Sequence, residues 1–259
     1  MQETSALYRE IISGTYTVET RVAIGDTGLL VDKKGDYITF GGTRILVATS
    51  AADGGYDEKM LAEVSTTGAL FDGDEPEVGA CVSREVNLKM LKPAGNIAGM
   101  QRIAVYSRVT DGKRHSEWIP QGVYFLDSAE EDSEDESVRW IDIHGYDAMM
   151  FAEQDYPAET ALSWPATDID VVREIAAAMN VQVDSRTVAI MNMGYKVQYT
   201  AYSLREYLSY IAAMYAGCFI ISETGELRLV CFWDIPKETR YLIDNSGYAI
   251  TFGGVRILV

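Results

Sequence analysis

Between Val18 and Ile24 the chain alternates. Val18, Thr20, Val22 and Ile24 are offset by Glu19, Arg21 and Ala23. A period of two puts one set of side chains on a core face and the other outside, so this stretch predicts a half-buried strand. Turn signals follow at Gly25-Asp26-Thr27-Gly28 and Lys33-Lys34-Gly35-Asp36, and residues 48–59, with Asp53-Gly54-Gly55, read as a surface loop. Further strands are expected around 81–91, 101–109 and 117–127, so the first 130 residues read mainly as β. Gly122–Asp127 and Val138–His144 then predict a hairpin. It brackets Glu130-Glu131-Asp132-Ser133-Glu134-Asp135-Glu136, where six acids in seven residues cannot pack and must reach solvent.

After Gly145 the period changes. Tyr146 to Glu153 predicts a short helix. Thr167 or Asp168 caps a longer one, with Ile169, Val172, Ile175, Ala176 and Met179 at helical spacing. Ser203 and Glu206 form a capping-box sequence in which each side chain can accept the other's free backbone N–H. Tyr202 and Tyr207 are placed to staple that helix. Its stripe is Leu204, Leu208, Ile211 and Tyr215, and Gly217 is expected to close it. A hairpin follows from Cys218-Phe219-Ile220-Ile221, a turn at Glu223-Thr224-Gly225, and Glu226–Val230. The fold class is α+β with β dominant.

One segment occurs twice. Ile38-Thr39-Phe40-Gly41-Gly42-Thr43-Arg44-Ile45-Leu46-Val47 matches Ile250–Val259 at nine of ten positions. Two copies so far apart are not a solenoid repeat. They read as a duplicated strand–Gly-Gly–strand unit, with glycines free to turn or bulge the chain. The apolar end Arg256-Ile257-Leu258-Val259 is expected to be held in an assembly or to run on into further chain.

At 259 residues, 47% hydrophobic and 24% charged, the chain can bury a proper core as one large or two to three small domains. Its net charge of −17 argues against unaided binding to nucleic acid or anionic membrane, because each phosphate contact would be made against the protein's own field. Cys81, Cys218 and Cys231 have neither metal nor redox spacing and read as buried free thiols. The sequence shows neither a signal peptide at its N-terminus nor an apolar run long enough for a membrane helix, so folding in a cytoplasm is expected.

Chemistry-bearing residues are sparse. His144, beside Asp142 and Asp147, could be written as an oriented pair for a nucleophile, but no serine or cysteine completes it. A strand-end histidine bonded to backbone is the reading adopted, and His115 falls in a loop. The acidic run Asp72–Glu77 lacks the ligand alternation of a calcium loop. No phosphate-cradling glycine motif opens a helix. Catalytic residues, cofactor-binding residues and metal ligands are therefore all assigned as none, and no cofactor is expected.

Three blocks carry a resemblance. They are Ser116–Asp127 with Ile141–Met150, then Asp168–Ala176 with Val183–Thr187, and then Tyr202–Ala212 with Gly217–Ser222 and Gly225–Leu229. Together they resemble the baseplate hub or tail-associated proteins of tailed phages, prophages and tail-derived bacteriocins, over roughly residues 80–230. The resemblance implies barrel-like β domains with a helix–helix–hairpin region in the second half. The expected layout is 1–145 as the β domain, 146–240 as the α+β domain, and 241–259 as the start of a returning β element that repeats 37–47. It also implies a homotrimer at the tail tip, joining tail tube and distal tail proteins to baseplate, spike or fibre proteins. DNA would be passing cargo, and no membrane span and no enzymatic activity are expected. Two rivals stand beside this structural role: a tail-tip adhesin for a surface carbohydrate or protein, and a peptidoglycan hydrolase platform.

Overall fold

In the computed structural model, residues 4–25, 39–40, 43–44, 55–71, 73, 75, 77–93, 97, 100–132, 139–232, 251–252 and 255–256 are described. The turn signals at 26–28 and 33–36, the Gly-Gly pairs, and the acidic tip at 133–136 lie outside them. After a short helix α1 (Ala6–Ile12), strands β1 (Thr17–Gly25), β4 (Leu61–Thr67), β5 (Glu85–Leu91), β6 (Arg102–Thr110), β7 (Ile119–Asp132) and β8 (Trp140–Asp147) form one antiparallel sheet. Its order is β1-β6-β7-β8-β5-β4. The two edges nearly meet. Val22 of β1 exchanges backbone hydrogen bonds with Tyr56 (2.9 and 2.7 Å), just ahead of β4, so the sheet curls into an almost closed barrel. Tyr56 lies in the stretch 48–59 expected to be a loop, of which 48–54 lie outside the described residues; Gly55 and 57–59 are irregular or turn, and Tyr56 alone of the described part bridges to β1.

The barrel is filled because the strands alternate. Val22, Val86, Leu88, Met90, Ile103, Val105, Tyr124, Leu126, Ile141 and Ile143 point inward and form one buried cluster. Each fully buried aliphatic or aromatic side chain of this kind contributes about 1.5–3 kcal/mol of transfer free energy. The expected hairpin is β7–β8, paired from Tyr124↔Asp147 to Asp132↔Trp140, with Glu130 and Glu131 exposed. A bulge in β7 between Leu126 and Ser128 re-aims Asp127. Within each copy of the repeated segment two short strands pair in the same register. β2 (Thr39–Phe40) pairs with β3 (Thr43–Arg44), and β13 (Thr251–Phe252) pairs with β14 (Val255–Arg256).

The second half builds its own core. β8 runs into a 3-10 turn at Ala148–Glu153, so the helix expected from Tyr146 begins two residues later and is of the tighter kind. Thr167 then caps α2 (Asp168–Ala178). A connector follows, with β9 (Ala166–Thr167) paired to β10 (Lys196–Val197) and a short helix α3 (Ser185–Ile190). α4 (Leu204–Met214) carries the complete capping box at Ser203 and Glu206. β11 (Gly217–Ile221) and β12 (Leu227–Cys231) form the expected hairpin. Val171, Val172, Ile175, Leu204, Leu208, Ile211, Phe219 and Leu229 are all buried in a second cluster.

Two helices went unforeseen, α1 and α3, and one cap was misplaced. Gly217 does not end α4; it is the first residue of β11, and Ala216 takes the left-handed conformation (φ 48°) instead. All three cysteines are buried, as expected. The fold is α+β and β-dominated, a barrel-like sheet followed by a helix–helix–hairpin region.

Candidate functional site

The two cores meet along the outer face of β7. Its outward residues, Val123 and Phe125, are covered. Phe125 stacks edge-on against Phe151 with ring centroids 4.9 Å apart, and Gly225 of the β11–β12 turn packs on Val123. Gly225 has φ +88°, and a Cβ there would stand 3.2 Å from the Val123 side chain, so both the turn and the close approach require glycine. Phe125 counts within the second core although it stands on a barrel strand.

The chain runs between the cores at 79–84 and at 147–148, and two side chains tie these crossings together. Asp147, 1% exposed, accepts the N–H of Arg84 on Oδ2 (3.1 Å) and that of Met149 on Oδ1 (3.0 Å). Burial pushes its carboxyl up to about 7, against the lowering effect of those two bonds and of the Arg84 and Arg205 charges. Arg205 of α4 donates from its guanidinium to the carbonyls of Cys81 and Met149 (3.0 Å to Met149) and to Ser83 Oγ (3.4 Å). Its Nε lies 2.7 Å from Glu153 Oε1. The Cys81 thiol beneath is pushed up to about 12 by burial and is not a nucleophile at neutral pH.

Above this joint lies a cleft of about 710 Å3, lined by Glu77, residues 79–83, Glu85, Tyr146 and Glu153 on one side and by Arg205, Glu206, Ser209 and Tyr210 of α4 on the other. A second hollow, of about 340 Å3, lies on the outer barrel face. There a register row crosses four strands: Glu63 opposite Lys89, Lys89 opposite Asp142, Asp142 opposite Glu130. Lys89 lies 3.9 Å from Asp142, a solvated pair worth little.

His144 lines this second hollow, and its surroundings correct the sequence reading. It stands within β8 and not at a strand end, and its ring faces side chains and not backbone. Nδ1 lies 3.3 Å from Asp127 Oδ2 on the β7 bulge, Nε2 lies 3.9 Å from Glu85, and Tyr146 stands edge-on at 4.6 Å. Asp142 and Asp147, the neighbours in sequence, are not its partners. Asp147 turns into the junction while His144 points out. His115 lies 3.3 Å from Glu19 near the barrel edge. Among the described residues, no three His, Cys, Asp or Glu side chains gather as a metal site. None of their helices is long and apolar enough to cross a membrane.

The scattered tyrosines of the second half form a connected set. Tyr199, Trp164, Tyr156, Tyr207, Tyr202 and Tyr210 follow one another with centroid separations of 4.6–5.8 Å. The inner members fill the core, while Tyr199 and Tyr210 at the two ends are 41% and 56% exposed. The junction residues Asp147 and Arg205 carried no sequence signal as a pair, because their partners lie up to 124 residues away.

No family model matches the sequence, and no curated protein matches it. Among solved structures, the chain is similar to the 43 kDa tail protein of prophage MuSo2 from Shewanella oneidensis. The identity is 12%, over 83% of this chain and 56% of that one, at a TM-score of 0.46. It is also similar to the tail protein from Neisseria meningitidis MC58, at 13% identity over 91% of this chain and 53% of that one, with a TM-score of 0.45. A chain of the Francisella PdpA-VgrG complex is similar at 9% identity, over 83% of this chain and 28% of that one, with a TM-score of 0.43. This chain spans about half the length of the two tail proteins. At these identities and TM-scores, nothing those proteins bind or assemble with transfers to this chain.

Proposed function

We propose that the chain is a structural subunit of a phage-like tail tip, a baseplate hub that joins tail tube to baseplate or fibre and frames the exit channel. One observation carries this reading. The sequence blocks that resemble tail hub proteins fold in the implied order, a nearly closed β-barrel and then a helix–helix–hairpin body. The buried joint at Asp147 and Arg205 supports it further, because a part that transmits load between tube and fibre needs its halves fixed to each other.

In this reading 1–145 and 146–240 are two units, and 241–259 opens a returning β element. The matching strand pairs, 39–40 with 43–44 and 251–252 with 255–256, fit an internally repeated ring component. Three copies would form the ring around passing DNA, and the net charge of −17 suits a wall to which DNA does not adhere. The subunit performs no chemistry.

Light scattering behind a sizing column, over a concentration range, tests it. A stable species at three times the 28.7 kDa of the chain is expected. A monomer at every concentration that also fails to join a ring with tube-tip proteins would overturn the hub assignment.

A further inference from the structure

The cleft between α4 and residues 77–85 has an unused backbone edge. Gly79 donates to Gly217 (2.7 Å), and Ala80 accepts from Phe219 (3.1 Å), so this run is fastened to β11 by two backbone bonds. At its other end Arg84 bonds Asp147. Between these anchors, the N–H groups of Cys81, Val82 and Ser83 meet no acceptor among the described residues, and neither does any donor reach the carbonyl of Val82. All three residues line the cleft. Backbone groups beside a groove that meet no partner among the described residues are a template for an incoming strand.

The walls say what that strand carries. Glu77, Glu85, Glu153 and Glu206 line the cleft, and Arg205 is the one cation among its lining residues. Arg205 is already engaged by Glu153 and by the carbonyls of Cys81 and Met149, so it offers an incoming chain no positive charge. Tyr210, 56% exposed, and Tyr146 supply aromatic faces on which aliphatic stems and cations can rest.

We propose that this cleft docks a Lys- or Arg-bearing segment of another protein, which pairs with residues 81–83 and sets its cations against Glu77, Glu85 and Glu206. The inference is independent of the tail-tip reading, and either can fail without the other.

The test is fluorescence anisotropy of the purified chain with a labelled Val-Lys-Val-Lys-Val-Lys peptide, its Val-Glu counterpart, and a version N-methylated on alternate amides. Two double variants carry the same charge change: Glu77→Lys with Glu85→Lys in the cleft, and Glu58→Lys with Glu159→Lys at exposed sites outside it. Saturable binding of the Lys peptide is expected, weakened about ten-fold by the cleft variant and by N-methylation and less than about two-fold by the control, with no binding of the Glu peptide. Equal losses in both variants would assign the binding to surface charge at large and overturn the proposal. Absence of binding, or indifference to the cleft variant or to N-methylation, would also overturn it. So would self-association that the cleft variant abolishes in a chain that ignores the peptide, which would give the groove to a second copy.

Discussion

Asp147 and Arg84 are bonded to each other twice. The Asp147 N–H donates to the Arg84 carbonyl (2.9 Å), and the Arg84 N–H donates to the Asp147 carboxylate (3.1 Å). The same carboxylate caps the 3-10 turn through Met149. One side chain therefore holds the passages at 79–84 and 147–148 between the barrel and the helical body, and it does so from a site with almost no contact with water. That position has a thermodynamic signature.

The Asp147 carboxyl is raised by burial to about 7 in the folded chain and returns to about 4 when unfolded. Between those values the folded chain holds a proton that the unfolded chain has lost, so this group makes stability fall as pH rises from about 4 to 7. The loss is complete above 7 and amounts to up to about 4 kcal/mol. Asp147→Asn removes the charge while keeping an acceptor for Met149. Urea unfolding across pH 4–8 is expected to show a shallower fall for the variant than for the parent. Parallel pH profiles would mean that the two N–H bonds keep Asp147 ionised throughout.

Arg205 ties α4 to the same joint, and its loss has a different character. Arg205→Ala leaves the carbonyls of Cys81 and Met149 short of a donor in a part-buried place, at a cost of about 2–4 kcal/mol. Arg205→Lys recovers little, because a single ammonium cannot span both carbonyls and Glu153 as the planar guanidinium does. Hydrogen exchange is the informative readout. The amides of Phe219 and Asp147, which bond across the crossings, should lose protection before those of the barrel interior in β5 and β6.

The elements legible in the sequence were those whose period is strong. β8, α2 and α4 each bury one face and leave the other more open, and that pattern is local; β1 buries only Val22 and leaves Val18 exposed, and β7 is covered on both faces from Gly122 to Leu126. α1 buries only Ile11 and α3 only Thr187, so neither has a stripe to read. The surroundings of His144 were misjudged because a strand-end ring bonded to backbone was expected. Asp127 and Glu85 are brought to it instead by strand pairing and a bulge. The junction and its cleft were invisible for the same reason, since Arg84 and Asp147 are 63 residues apart. Spacing in sequence carries no record of such pairs.

The capping box on α4 is reciprocal. Ser203 Oγ accepts the Glu206 N–H (3.2 Å), and Glu206 Oε2 accepts the Ser203 N–H (2.8 Å). Ser203→Ala is expected to cost about 1 kcal/mol. Glu206→Ala should cost less, because the Ser203 N–H can turn to water. The two share one structure, so the double variant should lose less than the sum, with a coupling of at least about 0.5 kcal/mol in urea midpoints. Strict additivity would show that the two bonds act independently.

The end of α4 offers a sharper test, because two adjacent residues should respond in opposite directions. Ala216 holds φ 48°, where an L side chain is crowded by about 1 kcal/mol, and it is fixed there by its N–H on Ala213 (3.1 Å) and its carbonyl on Phe232 (3.0 Å). Ala216→Gly removes the crowding but gives back some entropy to the unfolded chain, for a net gain of about 0.5 kcal/mol. Gly217, the cap the sequence suggested, is needed for another reason. A Cβ there would run into the backbone carbonyl of Val230 on the paired strand, so Gly217→Ala must push β11 away from β12 and should cost more than about 2 kcal/mol. Thermal melts of the two single variants decide it. If Ala216→Gly destabilises as Gly217→Ala does, the left-handed residue that follows the Tyr215 cap is not strained.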